Sequence, residues 1–218
     1  MDQFITIAIA AIPVIIAITF HEAAHGYVAR HFGDDTAEKA GRITLNPLKH
    51  IDLFGTILLP AFLILSRAGF IFGYAKPVPV NFSALNHPKR DMIWVALAGP
   101  VANLLQALLW GALAYLLAGL GVSEPFFLAM CNAGLLVNVV MFAFNLFPLP
   151  PLDGGRILVG LLPYRQAALV SRVEPWGFFI VMGLVIAGVV SSLWMQPLMA
   201  LTYGLLDLIL TPLALLFN

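Results

Sequence analysis

Charge is what this chain has least of. Only 10% of its 218 residues are Asp, Glu, Lys or Arg, where an ordinary soluble domain carries about 25%. The 11 basic residues balance the 11 acidic ones. A net charge of zero argues against a nucleic-acid partner and against a polybasic membrane anchor, because both need a concentrated positive field. Cysteine is nearly absent too, and the lone Cys131 excludes an internal disulfide. The stretch after Met1 has Asp2 and no basic residue, unlike a cleavable leader. Cleavage after the first apolar run would also remove or sever the motif at residues 21–25, so the chain is expected to stay whole.

What the chain has in excess is apolar surface. Hydrophobic residues make up 61% of it and the mean hydropathy is +0.96, more than a soluble core of this size could hide. A spanning helix needs about 20 apolar residues, and four stretches supply them: Phe4 to about Arg30, Met92 to Leu120, Phe126 to Phe147, and Phe178 to Phe217. The last is too long for one span. Trp194, Gln196 and Pro197 predict an interfacial break near Met195 to Pro197, and hence two helices there.

Residues 54–75 are harder to place, since Pro60 interrupts their apolar run and Ser66 and Arg67 end it. If this segment enters and returns on one side, Arg30, Lys39, Arg42, Lys49, Lys76, Lys89, Arg90, Arg156, Arg165 and Arg172 all share that side, as the positive-inside rule favours. The expectation is an all-α polytopic membrane protein with a re-entrant segment, five spanning helices, an outside N-terminus and a cytoplasmic C-terminus. A sixth plain span, with Arg67 snorkelling from its end, is the alternative. The whole of 1–218 is read as a single integral membrane domain, with a core over 1–156 and C-terminal helices over 157–218.

Within Gly73 to Phe82, Val78 and Val80 alternate with Pro77 and Pro79. Each proline removes a backbone donor, so the segment is expected to be an edge strand in a short membrane-associated β-hairpin, able to pair with an extended substrate. A proline-stiffened connector is the alternative.

The first apolar stretch contains His21-Glu22-Ala-Ala-His25. Positions four apart share a helix face, so His21 and His25 can address one metal ion while Glu22 beside them handles a proton. Ionisable groups at membrane depth are costly enough that function is the default reading. A catalytic zinc takes three protein ligands and keeps one position open. The best third ligand is Asp153, in Asn145-Leu-Phe-Pro-Leu-Pro-Pro-Leu-Asp-Gly-Gly155. Pro148, Pro150 and Pro151 break the preceding helix there, and Gly154 and Gly155 permit a tight path. Such backbone is tolerated at membrane depth where it lines a polar site or is buried in protein. Asp153 could otherwise cap a short helix starting at Gly154. His31, His50 and His87 read as interfacial histidines. Asp207, in the last apolar stretch, has no obvious partner.

Three motifs in order, His21 to His25, Gly99-Pro-Val-Ala-Asn103 and Asn145 to Gly154, make the chain resemble the site-2 protease family of intramembrane zinc metalloproteases. Gly41-Arg-Ile-Thr-Leu-Asn-Pro-Leu-Lys-His-Ile-Asp52 and Lys76-Pro-Val-Pro-Val-Asn81 are similar to its compact prokaryotic branch, which lacks PDZ and CBS domains. The resemblance implies one Zn2+ per chain on His21, His25 and Asp153, lowering the pKa of its bound water to about 7. Glu22 would take the proton and later give it to the leaving amine. It implies for Asn145 a contact with substrate or with the developing oxyanion; a hydrogen bond between helices is the alternative. Ala98, Gly99 and Ala102 make their helix narrow, so Asn103 could tie it to the metal-bearing one and could also touch substrate.

The implied substrate is a single-span membrane protein, unwound locally and held as an added strand by Pro77, Val78, Pro79 and Val80. The implied location is the inner cell membrane, with the site towards the cytoplasm. Two other classes fit the pattern less well. A metal-ion transporter should show paired halves with broken helices, and no repeat is visible. An inactive scaffold of the same fold should have lost its proton-handling group, yet Glu22 is present.

Overall fold

The computed structural model describes residues 3–66, 73–122 and 124–216. Helix α1 (Gln3–His31) carries Arg30 and His31 in its last turn, where cations complement the helix dipole, and the chain leaves it through Gly33 at φ 102°. A single turn, α2 (Thr36–Lys39), follows. A π-helical turn over Leu53–Leu58, capped by Asp52, leads into α3 (Leu59–Leu65). Helices α4 (Pro88–Gly119) and α5 (Pro125–Asn145) both open on proline, whose fixed φ suits a first turn and whose missing N–H is not needed there. Short helices α6 (Asp153–Leu161) and α7 (Tyr164–Ser171) come next, then α8 (Glu174–Ile186). A second π-helical turn over Val190–Met195 runs straight into α9 (Gln196–Leu216).

Among the described residues, four helical stretches are long and apolar enough to cross a bilayer: Ala11–His31, Pro88–Gly119, Pro125–Asn145 and Val190–Leu215. A fifth exists if α7 and α8, bent by 66° at their junction, count together. Small residues dominate the buried positions of α1, α4 and α5, among them Ala17, Ala23, Ala29, Ala96, Ala107 and Ala143. That is how helices without a hydrophobic driving force in lipid gain close packing. Ala107, Val139 and Leu206 join α4, α5 and α9 in one buried cluster. Leucines such as Leu109, Leu201 and Leu208 face outward, as lipid-facing positions should.

The structure corrects two expectations. The break in the C-terminal block lies at Ala187 and Gly188, the latter at φ 74°, and not at Met195 to Pro197. Pro197 lies inside the continuous helical stretch Val190–Leu215, just after its π-helical turn, and does not break it. Nor is there a β-hairpin, because no strand occurs among the described residues. Pro77 and Pro79 strip the donors from one edge of residues 73–81. The donors on the other edge turn inward: the amides of Tyr74 and Lys76 give to the carbonyls of Gly55 (3.0 Å) and His50 (2.9 Å).

These bonds also bear on residues 54–75. The Leu53–Leu65 helical stretch, about 20 Å long at 1.5 Å per residue, is too short for a hydrocarbon core of about 30 Å. Tyr74 also accepts a 2.9 Å bond from Thr56 Oγ1, so the two ends of the segment lie side by side. Residues 67–72, Arg67 among them, fall outside the described residues.

Candidate metal centre

His21 and His25, one turn apart on α1, bring their Nε2 atoms to 3.1 Å. Asp153 Oδ2 lies 3.3 Å from the first and 3.5 Å from the second. A tetrahedral zinc with arms of about 2.0–2.1 Å separates neighbouring ligand atoms by about 3.3–3.4 Å, so the three atoms already form one face of such a tetrahedron. Asp153 Oδ2 is buried without a hydrogen-bond donor, an arrangement a cation would satisfy and an empty apolar interior would not. The residues present therefore fit zinc.

Asp153 reaches this position as the first residue of α6, whose N-terminus has no side-chain cap. The turn before it is tight. A Cβ on Gly154 would stand 2.1 Å from the Leu146 carbonyl oxygen, and one on Gly155 would stand 2.0 Å from Pro150 N. Only glycine lets this loop fold back over the end of α5.

The histidine rings are oriented from behind. His25 Nδ1 lies 2.7 Å from the Val95 carbonyl oxygen, and His21 Nδ1 lies 2.6 Å from Asn103 Oδ1. Both partners are acceptors, so each Nδ1 carries the hydrogen and each Nε2 keeps its lone pair for a metal. Asn103, fully buried, donates in turn to Asn138 Oδ1 at 2.9 Å, and Asn138 donates to the Gly134 carbonyl at 2.9 Å. A buried polar ladder thus ties α1 to α4 and α5. Replacing Asn103 with Leu should weaken zinc binding about 10–100-fold, read by competition with a chromophoric chelator; unchanged affinity would remove Asn103 from ligand orientation.

Sequence reasoning passed over Asn138. Its seven-residue spacing from Asn145 puts both amides on one face of an otherwise apolar helix, which was signal enough. Asn145 is half-buried and gives one of its two amide hydrogens to the Met141 carbonyl of its own helix, at 3.0 Å. His31 and His87 are exposed, but His50 is buried and uses Nε2 to reach the Thr44 carbonyl oxygen at 2.8 Å. Asp207 lies exposed on α9.

Glu22, half-buried beside the two histidines, accepts a 2.7 Å bond from the Val78 amide. The structure thereby brings the proline-rich segment against the metal cluster. Two residues that sequence reading left without a role secure that segment. Arg42 Nη2 donates to the Lys76 carbonyl at 2.8 Å, and the buried Asp34 accepts from the Asn81 amide at 2.6 Å.

The profile of peptidase family M50 matches residues 9–135 and 121–188. A Bacillus subtilis protein named "Putative zinc metalloprotease YwhC" is 42% identical over 193 residues, covering 83% of this chain and 83% of that protein. "Putative zinc metalloprotease Rip2" of Mycolicibacterium smegmatis is 35% identical over 180 residues, covering 79% of this chain and 64% of Rip2. Rip2 of Mycobacterium tuberculosis strain H37Rv is 30% identical over 164 residues, or 71% of this chain and 58% of its own. No solved structure matches the chain.

Proposed function

The chain belongs to peptidase family M50, the site-2 protease family, and on that premise we propose that it is an intramembrane zinc metalloprotease that hydrolyses a peptide bond in or near the transmembrane segment of a single-span membrane protein. The observation that carries this reading is the triangle of His21 Nε2, His25 Nε2 and Asp153 Oδ2, with edges of 3.1, 3.3 and 3.5 Å, set next to Glu22. It sits on a helix apolar enough to cross a bilayer.

His21, His25 and Asp153 would hold a zinc ion, which would supply a Lewis acid for activating water at neutral pH and for polarising the scissile carbonyl. Glu22 is the proton carrier: Oε2 is held by the Val78 amide, and Oε1 is left to take the water's proton and pass it to the leaving amine. Asn145 has its second amide hydrogen left for the substrate or the developing oxyanion. Asn103 orients His21.

An unwound substrate fits the segment 73–81, though not as a hairpin. The Val78 amide is committed to Glu22. In extended backbone alternate residues face opposite edges, which leaves Ala75, Pro77 and Pro79 with carbonyls on the other edge. That edge accepts hydrogen bonds and, at the prolines, offers none. We place residues 54–75 as a re-entrant segment, supported by the paired bonds between Gly55, Thr56 and Tyr74. The distribution of basic residues among the loops supports a centre towards the cytoplasmic face of the inner membrane. Residues 1–218 form one integral membrane domain in this reading.

Metal removal tests the reading. In detergent, with a single-span reporter substrate, stripping zinc with a chelator should bring cleavage to background, and one equivalent of zinc per chain should restore it. Metal flux through proteoliposomes without any cleavage would instead mark a metal-ion transporter.

A further inference from the structure

The motif Gly41 to Asp52 has no place in the chemistry described so far, yet it contains a buried arginine. Arg42 is 8% exposed, and its Nη2 is spent on a main-chain carbonyl, that of Lys76. Burying a guanidinium for a neutral partner is costly. The position of that partner suggests why it is done.

Lys76 is gripped on both polar groups, its N–H by the His50 carbonyl at 2.9 Å and its C=O by Arg42 at 2.8 Å. Tyr74 is gripped in the same way by Gly55 and Thr56. Residues 74, 76 and 78 share one edge of an extended segment, so fixing the first two aims the third. The third is Val78, whose amide meets Glu22 Oε2 at 2.7 Å. Pro77 and Pro79 on either side have fixed φ, so the direction of that N–H is set by the backbone. Beyond it, Asn81 is anchored to Asp34 at 2.6 Å.

The segment also lies directly on α1. A Cβ on Gly26, one turn after Glu22, would come within 3.3 Å of Val78 Cγ1 and 3.1 Å of Ile43 Cγ1. Glycine at that position admits both the segment and the motif that clamps it. A glutamate has three side-chain rotors, and holding it costs conformational entropy unless something fixed accepts it. A short amide-to-carboxylate bond does so strongly.

Resting on the protease reading, we propose that residues 73–81 form a strap that holds the base Glu22 in register with the metal centre through the Val78 amide, and that Arg42 is a positioning residue acting on Glu22 through Lys76. The motif Gly41 to Asp52 is the strap's clamp. It serves proton transfer, with no part in holding the metal.

The test uses the full-length protein in detergent, zinc-loaded, with a single-span reporter. Arg42→Ala should lower kcat by about 10²-fold, the scale of a loss from misplacing a reacting group by about 1 Å, with zinc affinity within a factor of three of the parent; any rise in KM reports on the substrate-facing edge of the same segment. Arg42→Lys, which still reaches the carbonyl, should regain most of that loss. Val78→Pro removes the donor and Val78→Ala keeps it, so the proline variant should turn over at least tenfold more slowly than the alanine one. The strap is refuted if both Arg42→Ala and Val78→Pro keep parental kcat while Glu22→Gln is inactive. It is equally refuted if Arg42→Ala keeps parental kcat and loses only in KM or in zinc affinity, which would make the segment a substrate or metal support alone. Cleavage by Glu22→Gln at the parental rate would refute the protease reading itself, a separate outcome.

Discussion

Glu22→Gln is expected to bind zinc as tightly as the parent and to cleave a single-span reporter about 10²–10⁴-fold more slowly, the usual contribution of a positioned general acid–base group. The substitution is close to isosteric. Its amide oxygen can still accept the Val78 N–H that now reaches Glu22 Oε2, so the strap should stay in place. None of the three candidate ligand atoms belongs to Glu22, so metal content should not change. What is lost is the ability to take a proton at Oε1. The measurement is paired: zinc per chain by mass spectrometry, and initial cleavage rates on the same preparation. A variant with full zinc and a rate within tenfold of the parent would end Glu22's role as base. A variant that loses zinc would place Glu22 among the ligands. An inactive scaffold of the same fold makes a third forecast, no cleavage by parent or variant alike.

Much of this site was legible because its signals are local. His21 and His25 follow from a four-residue spacing on an apolar helix, and Asp153 follows from prolines and glycines that have little other reason to cluster at a helix end. The starts and ends of α1, α4 and α5 follow from apolar runs bounded by charge, proline or glycine, and the expected ranges differ from the observed ones by a few residues at most. What sequence could not supply was pairing across distance. Val78 lies 56 residues from Glu22 and no local pattern connects them, whereas the small residues beside Asn103 pointed to its tie with the metal-bearing helix, met 82 residues away at His21. The Pro-Val alternation invited a strand because strands and singly bonded extended segments have the same period of two. Deciding between them needs the partner, and here the partners are scattered over Glu22, His50 and Gly55. Proline also misled at the C-terminus: Pro197 is carried within a helix that starts with a π-helical turn before it, while Gly188, with its positive φ, made the actual break.

Gly99→Ala should abolish tight zinc binding, lowering affinity by at least about 10²-fold, the upper range seen when the groups that support metal ligands are removed. The sequence marks Gly99 as one of several small residues on α4. The structure places it against the candidate ligands themselves: a Cβ there would stand 2.4 Å from His25 Nε2, 2.5 Å from His21 Cε1 and 2.6 Å from His21 Nε2. The two Nε2 atoms cannot tolerate that methyl and also keep the spacing a tetrahedral ion needs, and neither ring can swing away without giving up its Nδ1 bond to Asn103 or Val95. Helix propensity works the other way, since alanine is favoured over glycine by about 1 kcal/mol inside a helix. A loss of zinc affinity in a helix that is otherwise no less stable would therefore come from the clash. Gly183→Ala is the comparison, because nothing lies within 4 Å of the Cβ it would add, and it should keep zinc and cleavage at parental levels. If Gly99→Ala held zinc as tightly as Gly183→Ala, α1 and α4 could not be packed as closely at the metal centre as these distances require.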